Sequence, residues 1–210
     1  MTHSPKWEIK IINPDHAYTH VCKGTILSRK WILTAAHCKK FLANSSDSFY
    51  VQDKSGDSKI VVLQNFIVHP DFNNTSKLND IALIKLDSML DFSKNKDIDY
   101  AVLPANIEIN HYKSLVTTSL NKEFNIPLSV EAKVLNITQY QDESVLQAST
   151  DQNPCFGDSG AGLTSHYKYN KNIVLGVMIA AHKKCLKTDL KFYTRVFDYV
   201  PWMIKTTRKH

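Results

Sequence analysis

Nowhere in the chain do about 18 apolar residues run together, the length that a membrane-crossing helix requires, so no membrane span is expected. The longest apolar stretch, Ile173 to Ala181, reads instead as a buried strand. No internal repeat or low-complexity tract stands out, which argues against a repeat array. Cysteine is sparse. Of four residues, Cys22, Cys38, Cys155 and Cys185, none belongs to a Cys-x-x-Cys pair, so the spacing is not that of a zinc site. Clustered charge of one sign is also missing. Lys and Arg number 26 against 20 Asp and Glu, but the excess of six is spread along the chain. Lys183-Lys184 and the tail Arg208-Lys209-His210 are the exceptions. Spread charge is the pattern of an ordinary basic surface rather than a polyanion-binding module, and no nucleic-acid partner is expected.

What is present is a series of short strand signals. At 210 residues and 43% apolar content, the chain can bury a substantial core as one domain or as two fused halves. Trp7, Ile9 and Ile11 alternate with Lys6, Glu8 and Lys10, the pattern of a strand with one wet face. Further strands are expected at Gly24–Leu27, Trp31–Thr34, Ser48–Gln52, Lys59–Ile67 and Ile81–Leu86. A second set runs Leu115–Thr118, Val130–Ile137, Ser144–Ala148, Ala161–Ser165, Ile173–Ala181 and Lys191–Val196. Turn-forming stretches such as Asp53-Lys54-Ser55-Gly56-Asp57 separate them. Many short strands at this spacing indicate an all-β sandwich or barrel. A closing helix is expected over 198–207, with Asp198 as cap, Pro201 in the first turn and Phe197 packed on Trp202. A short helical turn is expected around Ala35–Lys39.

Three local frames carry the chemistry: Thr34-Ala35-Ala36-His37-Cys38, Asn79-Asp80-Ile81-Ala82-Leu83 and Gly157-Asp158-Ser159-Gly160. A serine hydroxyl attacks a carbonyl only with a base in reach, and the base needs a carboxylate to fix its tautomer. His37 sits behind small residues and before a cysteine, a frame that the other histidines lack. Asp80 opens an apolar run, where a carboxylate is shielded from water, whereas Asp71 and Asp87 are less well framed. Gly157 and Gly160 leave room for a tight turn around Ser159. The bland alternatives are a surface histidine, a strand-capping aspartate and a loop serine.

Together, and in the order His, Asp, Ser, these frames resemble the trypsin/chymotrypsin family of serine proteases. The α/β-hydrolase elbow Gly-x-Ser-x-Gly fails, because Ala161 occupies its last position. Gly24-Thr25-Ile26-Leu27-Ser28-Arg29-Lys30-Trp31-Ile32-Leu33, Val68-His69-Pro70-Asp71-Phe72, Phe192-Tyr193-Thr194-Arg195-Val196 and Trp202-Met203-Ile204 extend the resemblance over nearly the whole chain.

The resemblance implies two six-stranded antiparallel β-barrels with a C-terminal α-helix, over about 1–95, 105–196 and 198–207. It implies Cys22–Cys38 and Cys155–Cys185 bridges, and hence a secreted, extracellular protein. It also implies a serine endopeptidase with His37, Asp80 and Ser159 as triad and the N–H groups of Gly157 and Ser159 as oxyanion hole. The substrate is a protein or peptide, protein protease inhibitors are potential partners, and a monomer is expected. No metal or organic cofactor is needed.

The resemblance places the pocket base at Asn153, where trypsin-like members carry aspartate, and the walls at Ile179, Ala180, Ala181 and Lys191. An inward Lys191 ammonium would favour Asp or Glu on the acyl side of the cut bond. The alternative is that Lys191 snorkels to solvent beside an occluded pocket. One part of the pattern breaks. Active members pair a freed Ile-Val-Gly-Gly-like chain end with the aspartate before the nucleophile, and this chain begins Met1-Thr2-His3-Ser4-Pro5 with no signal-like segment. Asp158 is therefore expected to turn to another partner, since an unpaired buried carboxylate is costly. Two readings stay open: a truncated product of an active enzyme, or a zymogen-like homologue that binds rather than cleaves.

Overall fold

The computed structural model describes residues 5–12, 20–42, 48–52, 58–94, 98–105, 114–121, 128–139, 144–167, 171–181 and 189–210. The opening alternation forms β1 (Glu8–Ile12), with Trp7, Ile9 and Ile11 buried. Its polar face, however, is not wet. Lys10 is 8% exposed and the Glu8 side chain 5%. Charged and hydroxyl groups of neighbouring strands cover that face, so period-two polarity marks a buried ion cluster here rather than solvent.

Strands β2 (His20–Ile26), β3 (Trp31–Thr34), β4 (Ser48–Gln52), β5 (Ser58–Val68) and β6 (Ala82–Leu86) join β1 in a closed barrel. The neighbour order is β1-β2-β3-β6-β5-β4, every pair antiparallel. Closure leaves no unpaired edge. Ile9, Ile26, Leu33 and Leu83 are among the buried residues of its core.

The second half contains β7 (Ala101–Val102), β8 (Val116–Asn121), β9 (Leu128–Gln139), β10 (Val145–Thr150), β11 (Gly162–Tyr167), β12 (Lys171–Ala181) and β13 (Lys191–Arg195). They form one sheet in the order β11-β8-β9-β10-β13-β12-β7, and β11 also pairs with β12. That extra pairing joins six strands into a ring, with β7 attached in parallel to β12. A two-residue strand is too short to show any hydrophobic period, which is why β7 escaped the sequence pattern.

The chain ends in α1 (Val200–Lys209), preceded by a 3-10 turn at Val196–Tyr199. The expected Asp198 cap is not formed. Tyr199 holds the N-cap position without a side-chain bond, and Asp198 instead accepts from Arg195 Nε at 2.8 Å. Trp202 packs edge-on to His69 at 4.9 Å between ring centroids. Among the described residues no helix is long and apolar enough to cross a membrane.

Candidate active site

The chain leaves β3 through Ala35 and Ala36, both fully buried, into a 3-10 turn at Ala36–Leu42 that carries His37. A disulfide from Cys22 on β2 to Cys38 ties the turn to the barrel, with a Cα–Cα distance of 6.2 Å. In the chain-entropy picture, closing such a loop contributes roughly 3 kcal/mol.

Asp80 approaches His37 with both carboxylate oxygens. Oδ1 accepts the His37 backbone N–H at 2.8 Å and Oδ2 meets ring Nδ1 at 2.7 Å. A carboxylate only accepts, so Nδ1 carries the proton and the Nε2 lone pair is left to act as base. Both residues are buried, Asp80 completely. Its aim is set by Asn79, whose backbone is left-handed at φ 54°. The Asn79 side chain accepts from Tyr199 Oη at 2.9 Å and donates to the Asp71 carbonyl at 2.9 Å. On the other side, Thr194 Oγ1 on β13 donates to the Asp80 carbonyl at 3.0 Å, bonding the two halves together at the acid.

Ser159 lies in the loop between β10 and β11, flanked by Gly157 at φ 95° and Gly160 at φ 86°. These left-handed conformations suit glycine and close the tight turn expected around the serine. The Ser159 carbonyl accepts the Lys23 N–H at 2.7 Å and lies 3.9 Å from Cys38 Sγ, beside the histidine turn. Among the described residues no hydrogen bond joins the Ser159 hydroxyl to His37. Such contacts are often long before substrate arrives and tighten in the reacting complex.

Asp158 has turned to another partner. Its Oδ1 pairs with Lys23 Nζ at 2.9 Å and its Oδ2 accepts the Cys155 N–H at 2.7 Å. The Lys23 and Asp158 side chains are 0% and 1% exposed. Burial pushes the Asp158 carboxyl up, against the downward pull of Lys23. Lys23 Nζ also donates to Thr118 Oγ1 at 2.9 Å and lies 3.5 Å from Glu8 Oε1, while Thr118 Oγ1 donates to Glu8 Oε2. Nothing in the sequence motifs singled out Lys23. The available signal was a cation between a half-cystine and a glycine, within an otherwise uncharged Val21-to-Ile26 segment.

The expected pocket residues are placed less uniformly. Asn153 is exposed, Ile179 is buried on β12 and Ala180 is half-buried. Ala181 pairs with Lys191 across β12 and β13, which brings two of the expected wall positions together. Lys191 does not snorkel: it is fully buried and its Nζ donates to the Asp189 carbonyl at 2.6 Å. Burial lowers its pKa, with the nearby Asp189 charge opposing. Cys155 is a half-cystine, and its expected partner Cys185 lies outside the described residues. Cys22, His37 and Cys38 crowd together, but both sulfurs belong to the disulfide and are not available to a metal.

A closed antiparallel barrel, a second β-ring and a C-terminal helix define the fold class, and a buried acid–imidazole pair lies near a glycine-flanked serine within it. A family model described as Trypsin matches residues 1–203, and the chain belongs to the trypsin family. Serine protease 28 of Mus musculus is 25% identical over 221 residues, spanning 90% of this chain and 78% of that protein. Trypsin II-P29 of Gallus gallus is 27% identical over 206 residues, spanning 89% and 79%. Inactive serine protease 54 of Rattus norvegicus is 26% identical over 221 residues, spanning 97% and 56%.

Proposed function

We infer that the chain is a serine endopeptidase in which Ser159 is the nucleophile, His37 the base and Asp80 the acid that orients the base. The observation that carries this reading is the double contact of Asp80 on His37, at 2.8 Å and 2.7 Å. Ser159 Oγ attacks the peptide carbonyl while His37 Nε2 takes its proton. The N–H groups of Gly157 and Ser159 receive the developing oxyanion, each worth on the order of 3 kcal/mol in the transition state. The imidazolium then gives its proton to the leaving amine. Water enters by the same route and frees Ser159 from the acyl-enzyme.

The substrate preference we assign is for Asp or Glu on the acyl side of the cut, through the desolvated Lys191 ammonium, with Asn153, Ile179, Ala180 and Ala181 as the other pocket residues. Disulfides persist in oxidising compartments, which supports secretion. A monomer acting on protein substrates, and open to protein inhibitors, fits the same reading.

A second reading, a homologue that binds without cleaving, draws on the likeness to a relative named an inactive serine protease. Stoichiometric labelling with a fluorophosphonate separates the two. Labelling that Ser159→Ala abolishes supports the enzyme, and an unlabelled chain supports the binding homologue. A peptide library cleaved best after aromatic or basic residues would reject the acidic preference.

A further inference from the structure

Three consecutive residues of the nucleophile loop are gripped by three different groups of one residue on β2. The Lys23 ammonium holds the Asp158 carboxylate at 2.9 Å. The Lys23 N–H holds the Ser159 carbonyl at 2.7 Å. The Lys23 carbonyl, itself held by Thr34 Oγ1 at 2.7 Å, lies against Gly160 so closely that an added Cβ would come within 2.1 Å of it. The same residue is tied to the base. Its neighbour Cys22 is bonded to Cys38, next to His37, and Thr34 ends the strand that leads into the histidine turn.

We propose that Lys23 is the positioning residue that sets the nucleophile loop in register with the histidine, its buried ammonium acting through the Asp158 carboxylate. The proposal rests on the reading of Ser159 as nucleophile. An ammonium has three protons, and those of Lys23 face Asp158, Thr118 and Glu8, so the cation is fully partnered in a wholly buried place. Two constraints follow for the loop. The backbone contact at Ser159 fixes where the loop crosses β2. The charge contact at Asp158 fixes its rotation, because the same carboxylate also accepts the Cys155 N–H and so closes the turn containing Gly157. Rotation of this turn decides where the Gly157 and Ser159 N–H groups point. Without the ammonium, the backbone contact remains but the carboxylate loses its buried counter-charge, and the turn is driven to rearrange.

The test uses Lys23→Met, which keeps length without charge, and the charge-balanced double variant Lys23→Met/Asp158→Asn. Fluorophosphonate labelling rate, kcat and KM on a peptide, and thermal midpoint are measured for each. Lys23→Met is expected to lower labelling rate and kcat by about 100-fold or more, with KM within about threefold, the signature of lost oxyanion contacts. The double variant is expected to regain most of the thermal midpoint, because Asp158 no longer carries a lone buried charge and Glu8 keeps the Lys10 charge beside it, while its labelling rate stays about 100-fold down. Recovery of labelling in parallel with the midpoint would reduce Lys23 to a structural residue and overturn the proposal, as would wild-type-like labelling of Lys23→Met. If Lys23→Met does not fold, the double variant alone decides. A wild-type chain that fails to label removes the nucleophile and both readings with it, whereas a labelled wild type with unaffected variants removes only this one.

Discussion

Two buried acid–base pairs lie near Ser159, and they differ in kind. In front, His37 meets Asp80 at 2.7 Å. Behind, Lys23 meets Asp158 at 2.9 Å. Each pair sets an acid against a base that is distant in sequence, and each is held by backbone N–H groups as well. The front base is an imidazole, and in the proposed reaction its pair handles the proton of Ser159. The rear base is a lysine within a nest of acceptors, and its pair holds geometry rather than relaying anything. Ser159 thus has the pair proposed to handle its proton on one side and a pair that holds geometry on the other.

The sharpest way to break this contrast is at the front. Asp80→Asn should keep the fold, measured by circular dichroism, while kcat drops by about 10⁴-fold as the imidazole adopts the wrong tautomer. At the rear the order reverses and stability carries the larger signal. Lys23→Met should cost about 3–5 kcal/mol, because it strands a buried carboxylate. The pH dependence sharpens this. Burial raises Asp158 above its ordinary 3.8, so the folded chain keeps that proton where the unfolded chain has lost it. Stability should therefore fall as pH climbs through that window. Loss of the Lys23 cation raises the carboxyl further and widens the window. The deficit of the variant, read from urea melts, should be smaller near about pH 4 than near about pH 8.

A smaller effect is expected at Lys191, a third buried charge. Lys191→Met should reduce kcat/KM for peptides with Glu on the acyl side by about tenfold relative to neutral ones. Burial lowers the Lys191 pKa, so the wild-type preference should fade at a more alkaline pH that is still below the usual lysine range. The sign for stability is the opposite of that for Asp158. The unfolded chain binds the Lys191 proton where the folded one has released it, so stability rises with pH up to about 10.5. The least effect belongs to Asp198→Ala. Its partly exposed pairing with Arg195 should contribute about 0.5–1 kcal/mol, visible only as a small shift in thermal midpoint with kcat unchanged.

The front pair was legible in the sequence and the rear pair was not, for a physical reason. His37 and Asp80 stand in local frames of small or apolar residues, and such frames announce burial by themselves. Lys23, Glu8 and Lys10 look like the wet side of ordinary strands, because alternation records which residues are polar and not what covers them. Only the folded arrangement, in which β8 and the loop carrying Asp158 lie over that side, turns three surface-like residues into a buried cluster. The β-strand architecture was readable because alternation and turn residues are local. Strand β7 was not, since its pairing with β12 depends on where the crossing segment happens to lie. The Asp198 cap failed for a similar reason, because a neighbouring Arg195 competes for the carboxylate.

The bond from Thr194 to the Asp80 carbonyl spans the two halves, and it has a consequence for control. His37 stands on one half and Ser159 on the other, so the proposed reaction depends on the two halves staying together. Mild pressure or dilute denaturant that loosens this seam is expected to lower the proposed activity before the β-sheet circular dichroism signal is lost.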